Sequence, residues 1–192
     1  MQEREINLQE YKREFPLFSL CGLNCGLCPR YHTDGESKCP GCGGENFHLK
    51  HPACAVITCN RKHEQVEYCF QCSSYPCGKY SKASEVDSFI SYRNVTSDFA
   101  KAKRDHDQYK RQLGEKVDML QFLINNYNDG RRKNFYCNAV NLLDLETSQD
   151  IMTEIKEKIS KQDISLKEKI SQIILLFEER ADKENIELKL RK

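Results

Sequence analysis

Residues 21–30, CGLNCGLCPR, place three cysteines within eight positions and close on Pro29-Arg30. Gaps of three and then two residues suit an iron–sulfur cluster, a zinc site or a set of disulfides, so the rest of the chain has to choose among them. Ten of the eleven cysteines lie between Cys21 and Cys77, and only Cys137 lies outside that stretch. The cysteines are therefore a local device, and their segment decides the fold on the N-terminal side.

A chain of 192 residues suits one medium domain or a small module with an appendage. Its start, MQEREINLQEYKREF, has no apolar core of the kind a signal peptide needs, and the longest apolar run, IILLF, is far too short to span a bilayer. A soluble, cytoplasmic protein with no membrane partner is expected. In that compartment thiols stay reduced, which favours metal binding over disulfides.

Residues 21–80 are punctuated by glycine, proline and cysteine and carry few large side chains, so metal is expected to supply cohesion that a small apolar core cannot. Charge is balanced: residues 1–80 carry nine basic and nine acidic groups, and the whole chain has a formal charge of +1. Arg30, Lys38, Lys50, Arg61, Lys62 and Lys79 are interspersed with five acidic residues. That pattern disfavours nucleic acid and leaves protein as the expected partner.

Three cysteine pairs have two-residue spacing: Cys25 and Cys28, Cys39 and Cys42, Cys69 and Cys72. Two intervening residues let a tight turn aim both thiolates at one ion while backbone N–H groups bond the sulfurs. Cys39-Pro40-Gly41-Cys42-Gly43 suits this best, with proline starting the turn. Sequential pairing puts Cys25, Cys28, Cys39 and Cys42 around one zinc, and Cys54, Cys59, Cys69 and Cys72 around a second. Cys21 and Cys77 then remain, able to displace members of either set, and a cross-braced arrangement is equally compatible with the spacing. About two zinc ions are expected, at four thiolates per closed site.

The alternative cofactor is an iron–sulfur cluster, which thiolates alone can hold. The Cys21–Cys28 spacing also matches the cluster motif of radical S-adenosylmethionine enzymes, but those need a β/α barrel for which this chain has neither length nor strand pattern. His32, His48, His51 and His63 lie in the cysteine region and are read as surface or packing residues, since enough thiolates are present. Cys137 reads as a small buried hydrophobe on a helix.

Beyond residue 81 the texture turns helical. Phe99, Ala102, His106, Tyr109, Leu113, Val117, Leu120, Ile124 and Tyr127 alternate steps of three and four, which predicts one continuous helical face, with Gly114 as a place to bend and Asn128-Asp129-Gly130 as the stop. His106, on that face, is expected to be a satisfied interface histidine. Further helices are predicted over 135–143, 151–159 and 166–181, the last capped by Ser165 and Glu168. A short N-terminal helix ending before Pro16 and a capping box of Ser84 with Asp87 are also predicted, while the tail IELKLRK reads as a lone strand or frayed helix. Arg131 or Lys133 is expected to face the cysteine module, with Phe135 or Tyr136 packed against it as a seam.

The segments CGLNCGLCP, CPGC, YCFQCSSYPC and NDGRRKNFYCNAVNLL together resemble the domain-of-unknown-function family 3795, over roughly residues 20–145. That resemblance implies a presumed zinc-binding cysteine module joined to helices, with no established activity, and makes Cys21, Cys77 and Cys137 part of the pattern. The expected fold is mainly α with a small irregular, metal-stabilised cysteine-rich module of zinc-knuckle type, dividing as residues 1–80 and 81–192. The expected function is a zinc-binding protein whose metal is mainly structural, acting as a protein-binding adaptor; the alternative is an iron–sulfur or thiol redox protein. No catalytic residue is nominated.

Overall fold

A computed structural model of the chain describes residues 11–51, 53–81 and 86–192. Among these the protein is mainly helical and contains no strand. The cysteine segment holds three short helices, α1 (Phe47–Lys50), α2 (Ala55–Lys62) and α3 (Gly78–Ser81), with 3-10 turns at Cys25–Leu27 and Cys69–Gln71. The sequence pattern suggests only loops and knuckles there. Glycine, proline and cysteine mask a helix as short as α2, because no second apolar turn exposes its period.

The helical half contains α4 (Val95–Arg104), α5 (His106–Tyr127), α6 (Lys133–Leu142), α7 (Leu145–Glu154) and α8 (Leu166–Lys183), with a π turn at Ile155–Ile159 after α7. The predicted continuous helix from Phe99 to Tyr127 is in fact two. It breaks at Asp105, whose extended backbone and side chain, accepting from the Gln108 N–H at 2.8 Å, start a new helix. Gly114 passes inside α5 without a break. The apolar face survives the interruption, since Phe99 and Ala102 on α4 and Tyr109, Leu113, Leu120 and Tyr127 on α5 are all buried.

Helix α6 is buried on every residue from Tyr136 to Leu142, as befits a helix wrapped on all sides by others. Asp144 caps α7 by accepting from the Thr147 N–H, so that helix begins six residues earlier than the periodicity suggests. Ser165 and Glu168 form the expected reciprocal box at the start of α8.

Three other expectations change. Residues 11–15 are not helical, and the remainder of the predicted N-terminal helix lies outside the described residues. Residues 86–90 form no helix either, and Ser84 is outside the described set. Asp87 instead bonds Arg191 of the tail, with Nη2 at 2.7 Å. The tail is neither strand nor helix. It is held by side chains, Arg93 Nη1 donating to the Glu187 carbonyl at 2.6 Å and Asn138 Nδ2 to the Leu188 carbonyl at 2.6 Å.

The core runs through both halves. Phe18, Leu27 and Tyr68 from the cysteine side join Phe99, Tyr109, Leu113 and Leu120 from the helices in one apolar cluster. The Phe18 ring centroid stands 4.7 Å from Tyr109, 5.2 Å from Tyr68 and 5.7 Å from Phe99. A smaller cluster of Leu20, Cys42, Phe47 and Ile57 lies within the cysteine segment, with Cys25 and Cys54 packed against it.

Candidate metal centre

The short segment Pro16–Leu20 organises the cysteine turns. Its carbonyls accept three N–H groups from distant positions, Gly26 to Leu17, Cys42 to Pro16 and Cys69 to Leu20, each at 2.9 Å. These bonds draw the Cys25, Cys42 and Cys69 turns around one strip of backbone. Arg13, buried to 9% exposure, locks the same strip by donating to the Phe18 carbonyl at 2.9 Å. Its other nitrogens grip Glu67 Oε1, and its guanidinium lies 4.6 Å from the Tyr68 ring centroid.

The thiols gather into neighbourhoods that cross the sequential order. Cys21 lies close enough to Cys42 and Cys54 to feel their charge, and Cys25 likewise feels Cys42, Cys21 and Cys28. Tyr92 sits within reach of Cys21, Cys54 and Cys25 at once. Cys21, Cys25, Cys42 and Cys54 form the middle of an inner group that also borders Cys28 and Cys69. An outer group, Cys59, Cys69, Cys72 and Cys77, lines one cavity of about 40 Å³. Cys28 and Cys39 stand near each other, bridged by the Cys39 N–H donating to the Arg30 carbonyl at 2.9 Å, with buried Cys137 of α6 in reach of Cys28.

The Leu23 N–H beside Cys21 donates to Ser19 Oγ at 2.8 Å, and the Tyr31 N–H donates to the Cys28 carbonyl at 2.9 Å. Hydroxyls stand beside two of the sulfurs: Ser19 Oγ is 3.1 Å from Cys21 Sγ and Tyr11 Oη is 3.7 Å from Cys42 Sγ. Burial pushes the Cys21 thiol up to about 12 and the Cys69 thiol up to about 11, so ionising them requires a cation. As they stand, no three His, Cys, Asp or Glu side chains among the described residues are arranged to hold one metal ion. Sulfur donors with hydroxyl neighbours are a chemistry that zinc and iron–sulfur clusters both accept.

The histidines serve mainly as structural partners. His32 Nε2 is 2.7 Å from the Gly26 carbonyl, and His106 Nε2 is 2.9 Å from the Tyr68 hydroxyl, the satisfied interface role expected of it. His63, which is exposed, lines the outer cavity.

The expected seam at residues 130–136 is corrected in part. Lys133 does reach the cysteine segment, its Nζ donating to Thr33 Oγ1 at 3.2 Å. Arg131 is exposed, and Phe135 and Tyr136 pack on Phe177 of α8, while α6 itself lies against the Cys25–Leu27 turn. The cation that sits beside a cysteine of the inner group is Arg13, near Cys42. Sequence reading misses it because Arg13 looks like one charge of an amphipathic lead-in. Its only signal is its place three residues before Pro16.

Residues 17–82 match the model of a family described as Protein of unknown function (DUF3795). The match covers about a third of the chain. The match takes in all ten clustered cysteines and stops short of the Gly130–Cys137 stretch, which the sequence resemblance includes. No curated protein and no solved structure matches the chain. No helix among the described residues is long and apolar enough to cross a membrane.

Proposed function

We propose that the DUF3795 segment is a zinc-binding module whose metal is structural, with the inner thiols Cys21, Cys25, Cys42 and Cys54 as its ligands. The observation that supports this reading is that the Leu17 and Pro16 carbonyls draw the Cys25 and Cys42 turns onto one strip of backbone, with Cys54 packed against the same cluster and the Ser19 and Tyr11 hydroxyls 3.1 and 3.7 Å from the Cys21 and Cys42 sulfurs. A bound dication supplies the charge that lets buried thiols ionise, and four thiolates around it leave no open position for water or substrate. Arg13 near Cys42 offsets the surplus negative charge of such a site.

A closed site argues for a binding role over catalysis, so the chain acts as a protein-binding adaptor. Val86 and Phe89, exposed to 55% and 52%, and Leu49, exposed to 69%, offer the apolar contacts such a role uses. The test is metal analysis of protein purified without oxygen or chelator, beside Cys42→Ala and Cys54→Ala. Wild-type protein should hold zinc, and each variant should lose one equivalent. Wild-type protein free of metal would exclude the reading.

A further inference from the structure

The outer thiols differ from the inner ones in surrounding a space. Cys59, Cys69, Cys72 and Cys77 line a cavity of about 40 Å³. One water needs roughly 10–15 Å³ by the same kind of measure, so this space has room for more than a single atom. A lone zinc ion needs no such room, because sulfurs about 2.3 Å from one centre close upon it.

Water suits the cavity poorly. The rest of its wall combines Val56, Val66 and the rings of Tyr75 and Tyr80 with Asn60, His63 and Lys79, and the surface it presents is mostly apolar. A body with a soft, sulfur-rich surface suits it better. From these residues we infer that the outer cavity binds an iron–sulfur cluster through Cys59, Cys69, Cys72 and Cys77. In such a cluster the cysteines stand around an inorganic core instead of meeting at one ion, which is how these four thiols stand around the cavity. The Tyr80 hydroxyl, which donates to the Cys21 carbonyl at 3.3 Å, ties this wall to the inner group. This inference rests on the metal-holding reading of the same segment, and assigns its two thiol groups to different cofactors.

The full chain is purified without oxygen and, in parallel, reconstituted with ferrous iron, sulfide and a thiol reductant. Iron, acid-labile sulfide and zinc are then quantified, and visible absorption and electron paramagnetic resonance after dithionite are recorded. Iron and sulfide in equal amounts, roughly two or four of each per chain, support the inference, whichever nuclearity is found. Cys59→Ala and Cys77→Ala should each lose the iron and sulfide while keeping helical circular dichroism and zinc, and Cys54→Ala should lose zinc and keep the iron. Two zinc ions without iron or sulfide would overturn the cluster and leave the metal-holding reading intact. Iron lost from Cys54→Ala but kept in Cys77→Ala would place the cluster in the inner group and overturn the assignment. A chain that holds no metal of any kind overturns both readings. Should either outer variant fail to fold, the wild-type iron, sulfide and zinc content still decides.

Discussion

The Tyr109 hydroxyl on α5 donates to Asn24 Oδ1 at 2.8 Å, across 85 positions of sequence, in a fully buried setting. Asn24 lies between two of the clustered cysteines, and its Nδ2 in turn donates to Asp98 Oδ2 at 2.9 Å and Asn141 Oδ1 at 3.1 Å. One amide therefore satisfies groups on α4, α5 and α6 and fixes the first cysteine turn against all three. Buried polar networks of this kind are costly when broken and specify one arrangement when complete.

Replacing Asn24 with Ala strands the Tyr109 hydroxyl and the Asp98 carboxyl, and should cost about 2–4 kcal/mol of unfolding free energy. Tyr109→Phe should cost about 1–3 kcal/mol. Denaturant unfolding of both single variants and the double variant forms a cycle, in which a coupling energy above about 0.5 kcal/mol is expected. Strict additivity would show that the bond does not join the two halves.

The shared core predicts one cooperative transition. Phe18→Ala removes a ring buried among Tyr68, Phe99 and Tyr109 and should destabilise the protein by about 3–5 kcal/mol. Far-ultraviolet circular dichroism and thiol accessibility should then shift together on heating. Thiols released well below the loss of helix signal would mean that the cysteine segment melts alone.

Two glycines with positive φ separate backbone strain from crowding. Gly35, at φ +76°, faces open space where an alanine methyl group would sit, so Gly35→Ala should cost only the left-handed penalty of about 1–2 kcal/mol. Gly41, at φ +84°, would set a Cβ 2.5 Å from the Pro16 carbonyl oxygen, the atom that receives the Cys42 N–H. Gly41→Ala should therefore cost roughly twice as much or more. Equal losses in thermal stability would show that the Pro16 strip yields freely.

The tail contact carries a pH signature. Burial works against ionisation of Asp87, but the hydrogen bonds and charge of Arg191 outweigh it and hold the carboxyl down at about 2, against an ordinary value of 3.8. A depressed carboxylate contributes stability that is fully present above its unfolded value and lost as pH falls through its folded one. The stability difference between wild type and Asp87→Asn should thus be constant near neutrality and shrink from about pH 5 to about pH 2. A difference that stays flat across that window would remove the ion pair from the account of tail docking.

Some features are legible in the chain because short-range chemistry settles them. The Ser165–Glu168 box starts α8 with groups three residues apart, and steps of three and four mark the buried face of α4 and α5 whether or not the helix is broken. Cysteine density likewise sets residues 21–77 apart from the helical half. Asp105 shows the limit of such reading, since a charged residue within a periodic run is usually a solvated helical position. Its cap forms because the chain must turn to lay α4 and α5 on the same aromatic core. The meeting of the cysteine turns is a larger instance: two-residue spacing brings neighbours in sequence together, but the carbonyls of Leu17, Pro16 and Leu20 recruit the Cys25, Cys42 and Cys69 turns from three places in the chain. Spacing governs which thiols a single turn can aim, and long-range hydrogen bonds and shared burial govern which turns meet.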